Sequence, residues 1–299
     1  MRQTSPKSVV VGIDGSAAAI CAAEWAVDEA ASRCLPLRLV HVIEPGSEAV
    51  RLETEYAEAS LSTARAAVDA TGRHVRSDAI VVHGSISSVL IEESRHAAMM
   101  CVGSSGVDYP FEKLLGSVAR SMAQSAHCPA AVIRTPNARD GDSRCIAVVV
   151  GDPNTADAVL RMAMDEARLR TASLLILRTW PATRGSACDD HLNQRMILWG
   201  RRYPDVEVHP VSLYTNLAEF LTKTERSVLL TLVDTAGSDE AKGLGGPSAF
   251  SRATCPVIVV SPDRGAWSPK QRRPVTSSLR PPRASSPSPV VGQVVSVPC

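Results

Sequence analysis

Short apolar runs alternate with helix-length amphipathic stretches along most of this 299-residue chain, and the whole alternation is written twice. That pattern restricts the fold severely. Strands separated by helices pair as parallel neighbours, with the helices laid over both faces of the sheet. The first copy opens with Val9-Val10-Val11-Gly12-Ile13-Asp14-Gly15-Ser16, a strand of the fully buried type that ends in a short polar turn. Residues 17–32 read as a helix, with Ala22, Trp25, Ala26 and Glu29 on one stripe. Residues 37–43 make a second strand, and Leu52, Tyr56, Leu61, Ala64 and Val68 mark a longer helix. A third strand at 79–82, a helix at 88–96 and a strand at 99–102 follow. A helix starting at Gly116-Ser117 and a last strand at 130–133 complete the half.

The second copy begins at Cys145. Ala147-Val148-Val149-Val150-Gly151-Asp152-Pro153 parallels the first strand and its turn, with a small deletion. Ala163-Met164-Asp165-Glu166-Ala167 parallels Ala26-Val27-Asp28-Glu29-Ala30 in the helix that follows. Residues 174–177 and 228–233 supply the second and fourth strands, and Cys255-Pro256 before 257–260 repeats Cys128-Pro129 before 130–133. A repeat of this length is a duplicated domain rather than a solenoid unit. The expected organisation is a domain at 1–136, a linker at 137–144, a second domain at 145–262, and a disordered tail at 263–299.

Between the fourth strand and the next helix lies Gly103-Ser104-Ser105-Gly106, then nine residues, then Gly116-Ser117. A strand, a glycine-bearing loop and a helix start present backbone N–H groups and a positive dipole end to an anion. Neither the Walker A loop nor the G-x-G-x-x-G fingerprint occurs. The spacing alone is divided between a phosphate loop and an ordinary strand-to-helix turn. In a parallel sheet, ligands bind beyond the carboxyl ends of the strands where strand order reverses. Asp14, Val42 and Gly103 all fall at such ends and are expected to share one pocket.

The strand leading into Asp14-Gly15-Ser16, the G-x2-G-x9-G-S loop and the closing His127-Cys128-Pro129 with its apolar strand resemble the universal stress protein family, in its ATP-binding branch. The resemblance covers residues 7 to about 135 in family order. It implies α/β architecture: two tandem five-stranded parallel-sheet domains, Rossmann-like and similar to adenine-nucleotide α-hydrolases. By the same resemblance Asp14 faces the adenine or ribose, and the backbone at Ile13 and Val42 lines the adenine slot. Gly103, Gly106, Gly116, Ser117 and Val118 would line the phosphates. Ser105 and Val107 depart from the family, where many relatives carry Arg or His and Gly, and any cationic contact there is lost. Lys113 is either a replacement cation or, in the simpler reading, a solvated loop lysine.

The second glycine loop is degenerate. Asp234 takes the place of Gly103, Gly237 matches Gly106, Gly243 matches Gly116, and Leu244 stands where Ser117 would be. A carboxylate at the loop entrance repels phosphate, so one competent site and one degenerate half are expected, the alternative being a nucleotide held there by a different loop geometry.

The remaining features exclude more than they assign. No apolar run approaches the ~20 residues of a membrane span, and no signal-peptide core precedes the first strand, so a cytoplasmic protein is expected. The eight cysteines form no C-x-x-C pair and no zinc spacing. Residues 263–299 carry six basic residues against one acidic, with abundant proline and serine. Without interleaved aromatics beyond Trp267, this tail reads as solvated rather than nucleic-acid-binding. Ser16, Ser104, Ser105 and Ser117 lie near the expected pocket without a G-x-S-x-G elbow, and His41 and His127 have no adjacent acid. What the resemblance implies is an ATP-binding regulator in stress response, dormancy or growth control, with Mg²⁺ at most bridging the phosphates. Relatives commonly pair through the final strand of each half, and residues 130–133 and 257–260 are apolar enough to pair across or within chains, so a homodimer is expected, acting on an unidentified protein partner. The rival readings are a slow ATP-hydrolysing or adenylate-handling enzyme, and a nucleotide-free interaction protein.

Overall fold

The computed structural model describes residues 7–46, 50–105, 116–135, 145–150, 156–178, 186–212, 228–234 and 255–260. In the first half, β1 (Ser8–Gly12), β2 (Leu37–Ile43), β3 (Ser77–His83), β4 (Ala97–Gly103) and β5 (Ala130–Ile133) alternate with α1 (Ala17–Arg33), α2 (Val50–Ala70), α3 (Ile86–Ser94) and α4 (Ser117–Ser125). In the second half, β6 (Cys145–Val150), α5 (Ala156–Arg170), β7 (Ser173–Arg178), α6 (Ser186–Arg202), β8 (Val208–Ser212), β9 (Val228–Asp234) and β10 (Val257–Val260) repeat the order. The apolar runs form strands because both faces are covered: β4 is buried at six of its seven positions, the mark of a parallel sheet sandwiched between helices.

All ten strands belong to one sheet in the order β3-β2-β1-β4-β5-β10-β9-β6-β7-β8. Each half is parallel and carries the same internal order. The halves meet at β5 and β10, which run antiparallel with Val257 opposite Val132 and Ile258 opposite Ala131. The final strands thus pair within the chain. Because β5 also pairs with β4 and β10 with β9, neither keeps a free edge for a second copy, and a homodimer through these strands is closed off. Edge strands are a template for aggregation unless blunted. Here the outer edges are β3 and β8, and β8 carries Pro210 opposite Ile176, a residue tolerated only at an edge. That proline also explains why β8 is not evident from hydrophobic pattern.

The two faces of the sheet are built differently. On the α1/α5 side one core runs across both halves, from Leu37, Leu39 and Met99 to Ile146, Leu230 and Ile258. On the other side the halves keep separate clusters, around Met100 and Met122 in one and around Val149 and Leu177 in the other.

At the seam on the continuous face lie four charges. Glu29 and Arg33 end α1, and Glu166 and Arg170 end α5. Arg33 pairs with Glu29 on its own helix and with Glu166 at 2.7 Å, while Arg170 pairs with Glu166 and reaches Glu29 at 2.6 Å. Both carboxylates are wholly buried. The repeated Asp-Glu-Ala segment therefore supplies a self-complementary Glu-x3-Arg pair from each half, related by the same pseudo-twofold as β5 and β10.

Candidate functional site

Strand order reverses between β1 and β4, which are neighbours although two strands separate them in sequence. The reversal leaves a crevice beyond their carboxyl ends. Ile13 continues β1, its N–H bonded to the Val40 carbonyl at 2.8 Å, and is buried. Asp14 follows and accepts from the Ser16 N–H at 2.9 Å. Gly15 supplies the positive φ (+85°) that the turn requires. Ser16 caps α1, accepting from the Ala19 N–H at 3.1 Å, the usual serine solution for an orphan helix donor. Val42 stands two residues past the Val40–Gly12 pairing of β2 with β1, so Val42, Asp14 and Gly103 lie at neighbouring strand ends in the order β2, β1, β4.

Gly103 closes β4 against the start of α1. A Cβ there would sit 2.8 Å from the Ala18 carbonyl carbon and the Ala19 nitrogen, so glycine is demanded by close approach of strand and helix. The base of the glycine loop is pinned: the Ser104 N–H donates to Ile133 at 2.7 Å and the Gly116 N–H returns to the Ser104 carbonyl at 2.9 Å. The Ser16 hydroxyl donates to the Ser105 carbonyl at 3.3 Å, joining the first turn to the loop. Gly116 is the N-cap of α4 and provides no side-chain bond to the helix start. Ser117 is exposed and Val118 half-buried, and no side chain of the N-cap residue bonds the backbone donors in the first turn of α4. Gly106 and Lys113 lie outside the described residues, as do Gly237, Gly243 and Leu244 of the second half. Asp234 is described: it is buried at the end of β9, in the position that Gly103 holds in β4.

Two residues that the glycine pattern does not point to also belong to this rim. The Tyr56 hydroxyl, from α2, donates to the Asp14 carbonyl at 2.9 Å. The Tyr56 ring meets that of His41 edge to face, with centroids 6.0 Å apart. His41 is buried, and burial pulls its imidazole below the ordinary histidine range against the opposing pull of Asp14. Tyr56 is visible in the sequence only as a helix-stripe residue, and its bond to a strand-end carbonyl is a tertiary contact. Among the described residues, no group of three or more His, Cys, Asp or Glu could hold a metal ion. None of their helices is long and apolar enough to cross a membrane.

Comparison with known proteins identifies the family. The model of the universal stress protein family matches residues 6–134, the half that contains the complete G-x2-G-x9-G-S loop. The universal stress protein Rv2624c of Mycobacterium tuberculosis strain H37Rv is 40% identical over 261 residues, covering 85% of this chain and 96% of that protein. A second from the same strain, Rv3134c, is 36% identical over 264 residues with the same coverage. Among solved structures, a universal stress protein from Archaeoglobus fulgidus superposes with a TM-score of 0.66 at 20% identity, covering 89% of this chain and all of the other, which speaks for the fold alone. With a duplicated parallel sheet of this order, and with relatives of this identity along nearly their full length, the chain belongs to the universal stress protein family.

Proposed function

We propose that the first half, residues 1–136, binds an adenine nucleotide, ATP in particular, and that the protein works as a nucleotide-dependent regulator in stress response, dormancy or growth control. The observation that carries this is the convergence at the β1/β4 switch point. The Asp14-Gly15-Ser16 turn, the pinned Gly103-Ser104-Ser105 segment and the uncapped start of α4 meet at one rim. Backbone N–H groups at a helix start are suited to phosphate oxygens, and the Ile13 and Val42 backbone with Asp14 is suited to a base and ribose. In this reading Gly103, Gly106, Gly116, Ser117 and Val118 line the phosphates, and Mg²⁺ bridges phosphate oxygens and water without a protein cage. Residues 145–262 form the degenerate half, where the buried Asp234 opposes an anion.

Regulation follows from linkage: a nucleotide that orders the loop shifts the population of a partner-binding surface by its differential affinity for the two states. The cytoplasm is the proposed location. A homodimer would have to use surfaces other than β5 and β10, which occupy each other. One observation favours a second reading, a nucleotide-free interaction protein: Gly103 is already accounted for by its contact with α1, with no ligand required.

Titration calorimetry of nucleotide-stripped protein with MgATP, beside a Gly106→Asp variant, separates the two. Binding of one nucleotide per chain, lost in the variant, is the expected result. Absence of binding heat in the parent at two temperatures would refute the nucleotide reading.

A further inference from the structure

We infer that Tyr56 is the surface against which the nucleobase packs, a ligand contact contributed by α2 rather than by either glycine-bearing turn; the inference rests on the nucleotide-binding reading above. Most of α2 is used to cover the sheet, through the buried Ala57, Leu61, Ala64 and Val68. Its first turns behave differently. Leu52 and Tyr56, one turn apart, are 65% and 49% exposed.

Exposure alone would mean little, but Tyr56 is held in place. Its hydroxyl donates to the Asp14 carbonyl at 2.9 Å and its ring lies edge to face with His41, at an interplanar angle of 74°. The turn is shaped around it: a Cβ on residue 15 would fall 2.4 Å from the Tyr56 hydroxyl oxygen and 2.8 Å from the Ser60 hydroxyl oxygen. An aromatic ring fixed at one edge and open over half its surface, at the carboxyl ends of β1 and β2, is a pre-ordered stacking platform. Little side-chain entropy remains to be lost when a flat ligand settles on it.

The residue behind it points the same way. His41 is 7% exposed, and its Nδ1 has no hydrogen-bond partner among the described residues. Buried polar atoms are satisfied in the great majority of cases, so an orphan nitrogen beside the platform marks a place where a polar partner is missing. A neutral imidazole offers one donor and one acceptor, so the polar edge beside the platform is available to a ligand's hydroxyl or base edge, directly or through water, while Tyr56 keeps its place.

The test is titration calorimetry of the full-length chain with ATP and, separately, AMP, for the parent, Tyr56→Ala and Tyr56→Phe. Loss of one base–aromatic stacking contact lowers affinity by about tenfold. Tyr56→Ala is expected to weaken ATP and AMP by the same factor, because the outer phosphates are untouched. Tyr56→Phe is expected to recover most of the affinity, because the ring remains while the bond to Asp14 is gone. Where the alanine variant proves unfolded at the assay temperature, Tyr56→Leu takes its place, keeping bulk without a π face. The inference is overturned if the parent binds both nucleotides and the alanine or leucine variant matches it within about twofold. It is overturned equally if phenylalanine is as weak as alanine, or if only ATP is affected. A parent that binds neither nucleotide overturns the nucleotide reading itself, a result distinct from the other three.

Discussion

Removing one arginine from the four-charge seam should cost more stability than any other single polar substitution among the described residues. In Arg33→Met, the Glu29 and Glu166 carboxylates, both wholly buried, are left to share Arg170 alone. Breaking a buried pair from one side costs about 3–5 kcal/mol, because the remaining charge has neither water nor partner. At about 2–4 °C per kcal/mol for a body of this size, the melting temperature should fall by roughly 6–20 °C. The penalty should also depend on pH. Burial and the neighbouring Glu166 push the Glu29 carboxyl up to about 7, against the pull of Arg33 and Arg170. A carboxyl with a raised folded-state pKa binds its proton more tightly folded than unfolded. Its contribution is full below the unfolded value near 4.5 and is lost as pH rises toward 7. Deleting Arg33 removes a group that favours the charged form, so Glu29 rises further and the variant's deficit widens between pH 5.5 and pH 8. Urea denaturation at both pH values measures this. Replacing all four residues by Met and Leu should be neutral or stabilising by about 1–4 kcal/mol, since the desolvation cost vanishes with the charges. A deficit for Arg33→Met below about 1 kcal/mol at both pH values would show that the seam is hydrated and behaves as a surface ion pair.

Three further outcomes are expected. Gly103→Ala, which brings a Cβ within 2.8 Å of the α1 backbone, should destabilise by about 1–3 kcal/mol as overpacking does, measured by denaturant midpoint. Ser16→Ala removes the α1 cap and its link to the Ser105 carbonyl and should cost about 0.5–2 kcal/mol, together with faster amide exchange at Ala19. The His41 imidazole should titrate below the ordinary value of 6.5 in an NMR pH series, because burial outweighs Asp14. A histidine lowered in this way contributes stability above 6.5 and loses it as pH falls from there through the lower folded value, since the unfolded chain takes the proton first.

The seam also bears on how the two halves act together. α1 begins at the Asp14-Gly15-Ser16 turn and ends, about 25 Å away at 1.5 Å per residue, at Glu29 and Arg33. One helix therefore carries the candidate nucleotide site at its start and the junction with the second half at its end. The continuous core on that face makes the pair of halves a single packed layer, whereas on the opposite face the clusters are separate and meet through Ala123 of α4, which packs against the second half's cluster.

Local pattern was enough for the parallel α/β class, the internal duplication and most strand positions, because two-sided burial writes apolar runs directly into a sequence. It also set Asp14, Val42 and Gly103 at strand ends, and the sheet order makes those ends neighbours. Where polar or proline residues interrupt a run the signal fails, as at β8 with Pro210. Glu29 stood on the apolar stripe of α1 in the sequence, with Arg33 one turn away as a local partner, but its second partner, Arg170, is 141 positions away, and no local rule links them. The pairing of β5 with β10 inside one chain and the bond from Tyr56 to the Asp14 carbonyl are likewise contacts between distant segments. Periodicity specifies which face of an element is buried; only packing decides what it is buried against.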